Sequence, residues 1–138
     1  MSEAASVADY VLPDIGFLER YETPHVAPTI LTKASGIRQP FWQEKDGHTL
    51  PKPKYTFPDT MDVVDMLVEI GKRMNLAGFG SNGLGPGMPL NEGRDWYARL
   101  FANIAVEDGG VPGATEAEKV AYILARGGRF ENAAEAYK

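Results

Sequence analysis

Asp59-Thr60-Met61-Asp62-Val63-Val64-Asp65-Met66-Leu67-Val68-Glu69-Ile70-Gly71-Lys72-Arg73-Met74 divides this 138-residue chain into two kinds of sequence. Val63, Leu67, Ile70 and Met74 recur at helical spacing and make one apolar stripe. Asp59 or Thr60 stands where an N-cap is wanted. Lys72 and Arg73 lie near the other end, where cations suit the helix dipole, and Gly78 is a stop signal.

Toward the C-terminus the helical character continues. A glycine-rich run over residues 78–87 is expected to be a surface loop between helices. Asn91 is the candidate cap of a second helix, whose apolar face is Trp96 or Tyr97, Leu100, Phe101 and Ile104. Thr115-Glu116-Ala117-Glu118 is a capping box, in which a Thr hydroxyl and a Glu carboxylate satisfy each other's free amides. It predicts a third helix that buries Val120, Ile123 and Leu124 and stops at Gly127-Gly128. A last short helix is expected over residues 132–137.

Toward the N-terminus the sequence changes. Six prolines (Pro24, Pro28, Pro40, Pro51, Pro53, Pro58) exclude long helices between residues 23 and 58, because each removes a donor and restricts the residue before it. Residues 37–42 read as a short extended piece and 15–21 as one or two helical turns. Residues 7–12, a β-prone apolar run stopped by Pro13-Asp14, read as a strand. The expected fold is an α/β fragment: strand and Pro/Gly-rich loops over 1–58, three to four helices over 59–138, and a single partial domain over 1–138.

Composition narrows the function. With a net charge of -5 and pI about 5.0 the chain is a poor partner for nucleic acid, which needs clustered Lys and Arg. No apolar run approaches the roughly 18 residues that span a bilayer, and Met1-Ser2-Glu3-Ala4-Ala5 lacks the basic flank and apolar core of a secretory signal. The localisation expected for the chain as it stands is cytoplasmic. Zero cysteines remove thiolate metal ligation, iron–sulfur clusters and a cysteine nucleophile. Gly and Pro, 15 and 10 residues, make much of the chain turn and loop, as expected of a segment that packs against something larger.

Few constellations suggest chemistry. Residues 78–87 contain Gly-x-Gly spacing, but a helix precedes them, Pro86 interrupts them and no P-loop Lys-Ser/Thr pair follows. His25 and His48 stand among loop residues. Asp62, Asp65 and Glu69 lie about one helical turn apart, which suits a metal but more often marks a solvated helix face. Trp96, Tyr97 and Tyr122 could stack on a ligand or simply pack. Arg38, after Ser35-Gly36 and before Gln39-Pro40, is an Arg in a charge-poor loop, able to hold a phosphate or carboxylate bidentately.

Ser2-Glu3-Ala4, Ala8-Asp9-Tyr10-Val11-Leu12-Pro13-Asp14 and Leu18-Glu19-Arg20-Tyr21-Glu22 together closely resemble a run in the catalytic subunits of the molybdopterin oxidoreductases, the dimethyl sulfoxide reductase superfamily. Ser35-Gly36-Ile37-Arg38-Gln39-Pro40 resembles the loop that follows it in that family. Gly85-Pro86-Gly87-Met88-Pro89-Leu90-Asn91, Asp95-Trp96-Tyr97, Ala102-Asn103-Ile104-Ala105 and Tyr122-Ile123-Leu124-Ala125-Arg126-Gly127-Gly128 look like the tetrathionate reductase branch. The resemblance covers nearly the whole chain.

It implies an intact enzyme holding molybdenum or tungsten between two molybdopterin guanine dinucleotides, with an iron–sulfur cluster elsewhere in the parent. It also implies two-electron reduction of tetrathionate or a related oxyanion. The chain has neither the cluster cysteines nor a recognisable metal-ligand segment, and Met1 falls where the family is mid-domain. This chain is therefore expected to be a partial domain, an excised or split-gene piece or a product of truncation, that binds no cofactor and is inactive in isolation. Its partner would be the remainder of the catalytic subunit or a partner subunit, without nucleic acid or membrane insertion, and the parent family is often exported.

The strand end at Leu12-Pro13-Asp14 is expected on the carboxyl side of a parallel sheet. The 36–39 loop is expected near the substrate funnel or a pterin, with Arg38 as an anion contact and Gly36, Gln39 and Glu19 weaker candidates. A structural ion pair of Glu19 with a neighbouring Arg is equally open. The competing readings are a small accessory subunit that docks through its apolar helix faces and an independent small enzyme, for which no residue spacing speaks.

Overall fold

The computed structural model describes residues 2–23, 34–106 and 111–130. His25 and the helix expected over 132–137 lie outside them. The described elements are α1 (Glu3–Ser6), a 3-10 turn (Phe17–Glu19), β1 (Ala34–Gly36), β2 (Gln43–Glu44), β3 (Lys52–Pro53), α2 (Val63–Arg73), β4 (Gly80–Gly85), β5 (Met88–Leu90), α3 (Gly93–Val106), α4 (Glu116–Arg126) and β6 (Gly128–Phe130). Among the described residues no helix is long and apolar enough to cross a membrane.

The core is built around α3 and α4. Phe101, Ala102 and Ala105 of α3 meet Val120 and Ile123 of α4, and the first half adds Tyr21, Ile37 and Leu50. Tyr21, Tyr97 and Phe101 form an aromatic triangle with centroids 6.0–6.2 Å apart. Tyr21 can enter this core because its hydroxyl has a partner there, lying 2.8 Å from both Gln43 Oε1 and the Pro51 carbonyl and donating to one of them.

The capping box forms as expected. Thr115 Oγ1 accepts from the Glu118 amide and the Glu118 carboxylate accepts from the Thr115 amide, both at 3.2 Å. Gly127, at φ 72°, ends the helix in the left-handed region. Gly128, at φ 142°, then starts β6, which pairs antiparallel with β1 in the register Ala34↔Phe130, Ser35↔Arg129, Gly36↔Gly128. A side chain at Gly128 would run into the Ser35 carbonyl, so glycine is required on both grounds.

Several sequence expectations are corrected. Residues 7–12 are not a strand, and Val7, Tyr10, Val11 and Leu12 are exposed. A strand needs a neighbour, and among the described residues none lies beside this run. Among the described residues all three sheets are two-stranded and antiparallel, and Leu12-Pro13-Asp14 does not end a strand. The strand here is Ala34–Gly36, just before the 37–42 run expected to be extended, in which Arg38 makes only an isolated bridge to Glu22. Residues 78–87 are not a plain loop: they contain β4, which turns at Pro86-Gly87 into β5, with Gly87 N donating to Asn82 Oδ1 at 2.8 Å.

Helix starts also shift. α2 is capped by Asp62, whose carboxylate accepts from Val64 N at 2.9 Å, rather than by Asp59 or Thr60. α3 takes its cap from inside: Asp95, in its first turn, accepts from the amides of Asn91 and Glu92 at 2.8 and 3.2 Å. The apolar stripe of α2 does not enter the core. Its buried positions are Val68 and Gly71.

Candidate functional site

The 36–39 segment is held from three sides. Ile37 N donates to the Gly127 carbonyl at 2.8 Å, continuing the contact of β1 with β6. Arg38 and Glu22 exchange backbone hydrogen bonds of 2.8 and 3.1 Å across an isolated antiparallel bridge. Gln39 Nε2 donates to the Leu124 carbonyl at 2.9 Å, which helps to satisfy the open C-terminal end of α4.

Within that frame the Arg38 guanidinium forms an ion pair with the Glu22 carboxylate and lies 5.2 Å from the centre of the Phe17 ring. Its Nε is buried without a protein partner. The segment thus carries one cation already matched by one anion. Gly36 contributes backbone to the β1–β6 ladder, opposite Gly128.

Glu19 is not paired with an Arg. It accepts from the Thr56 amide at 2.6 Å, from the Thr56 hydroxyl and from Gly16 N at 2.9 Å. The Thr56 hydrogen bond is the first cause that lowers its pKa, followed by the Gly16 amide. Arg20 pairs instead with Asp14 at 2.5 Å and donates to the Ile15 carbonyl.

The carboxylates of α2 do not converge. Asp62 caps the helix, and burial raises its pKa. Asp65 accepts from Gly93 N at 2.6 Å and faces the Tyr55 hydroxyl at 3.4 Å. Glu69 pairs with Lys72 and Arg73 at 3.2 and 2.8 Å. Three neighbouring acids therefore serve three separate structural duties. Nor do the aromatic residues make a stacking platform: Tyr97 is in the core, Trp96 is half-exposed and Tyr122 accepts from Arg126 at 2.9 Å.

Sequence reasoning missed a polar network at the start of α3. Arg94 is buried and donates to Asp46 and the Leu50 carbonyl at 3.0 Å and to Glu92 at 2.8 Å. The Arg94 hydrogen bond pulls the Asp46 pKa down to about 2. Beside it, His48 Nε2 lies 3.0 Å from Asp95 Oδ1, and Nδ1 accepts from the Leu50 amide at 3.1 Å. His48 Nδ1 also lies 3.2 Å from the Leu50 carbonyl. Burial alone would raise the Asp95 pKa, but the Asn91 amide and His48 outweigh it and lower it.

His48, Glu92 and Asp95 bring one ligand atom each within 4.8 Å of one another, a spacing a metal ion could use. Each is already engaged within the chain, Glu92 by Arg94 and Asp95 by two amides and His48. The network reads as a clamp that fastens the 46–50 turn to α3. The acids around Arg94 hint at it in sequence, but the 47-residue separation of His48 and Asp95 leaves no local signal. A cleft of about 460 Å³ lies next to it, between the β4–β5 hairpin, α3 and α4. Leu84, Met88, Ala98 and Val120 line it, and Arg99 and Glu116 are at its edge.

The chain is similar to a selenate reductase subunit of Mesobacillus selenatarsenatis, 26% identical over 174 aligned positions that cover 100% of this chain and 16% of that protein. It is also similar to a tetrathionate reductase subunit of Salmonella typhimurium, 28% identical over 158 positions that cover 94% of this chain and 15% of that protein. The chain thus spans about one sixth of the length of these curated relatives. No protein-family model matches the chain, and no solved structure matches it. The two relatives support the resemblance to a segment of a molybdopterin oxidoreductase catalytic subunit.

Proposed function

We propose that this chain is a segment of the catalytic subunit of a molybdopterin-dependent oxidoreductase, and that the intact enzyme reduces an oxyanion such as tetrathionate or selenate by two electrons. The observation that carries the reading is the match along almost the whole chain to subunits of two oxyanion reductases. The segment's own contribution is structural: it completes a larger cofactor-binding domain by packing against the rest of the subunit. In the intact enzyme a molybdopterin guanine dinucleotide cofactor with molybdenum or tungsten would supply the redox chemistry.

The 36–39 segment is a poor fit to a pterin as it stands. Glu22 takes the Arg38 charge, Leu124 takes the Gln39 amide and Gly36 is in a strand pair. The role proposed for Arg38, Gly36 and Gln39 therefore narrows to one exchange. An external anion would displace Glu22 from Arg38, while Gly36 and Gln39 fix the loop that presents it. No reaction step is assigned to these residues.

The test is a transplant. The matched segment of the Salmonella typhimurium protein is replaced by this chain, and tetrathionate-dependent oxidation of a reduced dye is measured together with molybdenum content. Activity and metal content clearly above those of the segment-deleted protein are expected. Metal content and activity no better than the deletion would overturn the reading.

A further inference from the structure

Helix α2 is turned inside out with respect to its own chain. Its inward positions are Asp65, bonded to Gly93 N, the buried Val68, and Gly71, which lies under the Phe79 ring. Its apolar stripe points elsewhere. Val63, Leu67, Ile70 and Met74 are 42%, 60%, 46% and 64% exposed, against 4% for Val68. At 3.6 residues per turn the stripe is centred about a third of a turn from the packed positions. An amphipathic helix gains its stability by burying such a stripe, and here nothing in the described chain covers it.

The stripe continues onto neighbouring segments. Met61, exposed at the helix entrance, donates its amide to the Pro13 carbonyl at 3.2 Å, which ties the exposed Leu12 region to α2. Phe41 N donates to the Leu18 carbonyl at 2.8 Å, and both side chains are exposed. Thr56, next to the exposed Phe57, is bound to Glu19 beside them. Apolar residues from three separated parts of the chain are thus fastened together with their side chains outward. Exposed apolar residues gathered on linked segments in this way mark an interface.

We infer that the α2 stripe, with the exposed apolar residues of 12–18, 41 and 57–61, is the seam by which this segment packs against the remaining polypeptide of the same catalytic subunit. The inference rests on the reading above. One observation favours that occupant over a second copy. In both relatives the matched region is embedded in a chain about six times longer.

The test uses the whole chain as it stands. It is mixed with the Salmonella typhimurium tetrathionate reductase subunit lacking the matched segment, and association is measured by affinity capture with sedimentation of each component alone. Leu67→Glu/Ile70→Glu should weaken association at least tenfold while helical content is unchanged, since both side chains are exposed in the chain alone. Leu67→Ala should weaken it by a smaller factor, and Arg99→Glu, at the cleft on the α3–α4 side, should not. Equal binding by wild type and double variant would overturn the seam and leave the segment reading standing. Self-association that the double variant abolishes, with capture unchanged, would assign the face to a second copy and overturn the inference. No capture of the wild-type chain would overturn the segment reading and the seam with it.

Discussion

Helices α2 and α4 are both 11 residues long, both amphipathic and both properly capped, yet they bury opposite things. α4 turns Val120 and Ile123 into the core against Phe101 and Ala105. α2 keeps Val63, Leu67, Ile70 and Met74 outside and packs through Val68, a glycine and a carboxylate. Periodicity identifies which residues of a helix want burial. It is silent on whether the burying partner belongs to the same chain. α4 has found its partner here, whereas no described residue covers the stripe of α2.

The comparison is most easily broken at the α4 side. Phe101→Ala removes a fully buried ring and is expected to cost about 3–5 kcal/mol, a loss to be read by denaturant unfolding. Ile123→Ala, also fully buried, should cost about 2–5 kcal/mol in the same assay. A small effect at both positions would mean that the α3–α4 core does not hold the chain together.

Gly71→Ala tests how α2 is attached. A methyl there would lie 2.6 Å from Phe79, so overpacking should cost about 1–3 kcal/mol although alanine is the better helix former. A gain in melting temperature would show that α2 does not pack on the hairpin. Thr115→Ala, which opens the capping box of α4, should cost about 1 kcal/mol.

Acid should act through Asp46. Its folded pKa of about 2 lies below the ordinary 3.8, so the stabilisation from its pairing with Arg94 is complete above pH 3.8 and is lost as pH falls through about 2. Asp46→Asn should flatten the dependence of stability on pH in that window, and an unchanged slope would remove Asp46 from the clamp. Least of all should come from the α2 stripe: Leu67→Ala is expected to shift the stability of the chain alone by less than about 0.5 kcal/mol. A loss as large as that at Ile123 would show the stripe to be covered after all and erase the contrast between the two helices.

Legibility followed the range of the interactions. The Thr115–Glu118 box and the Gly127-Gly128 stop are signalled within four residues, and both formed as read. Asp62 displaced Asp59 and Thr60 as the α2 cap because only its carboxylate reaches Val64 N. The run over 78–87 became a hairpin since Gly85 and Gly87 accept the positive φ that the turn into β5 requires, a property glycine shares with plain loops. Around Arg38 the sequence marks an anion-binding side chain. That its anion is Glu22 depends on a bridge between two strand-like segments.

By itself, then, the sequence determined where α2, α3 and α4 lie, the capping box of α4, the exclusion of long helices before residue 58 and the similarity to subunits of two oxyanion reductases. These follow from local hydrogen bonding, from periodicity and from motif residues that need no third dimension. Only the tertiary structure decided that residues 7–12 lack a strand partner, that His48 and Asp95 meet across 47 residues and that the α2 stripe faces away from the core. Each of those depends on which surfaces the chain can bring together, and a backbone run or an apolar stripe settles only where a complementary surface exists.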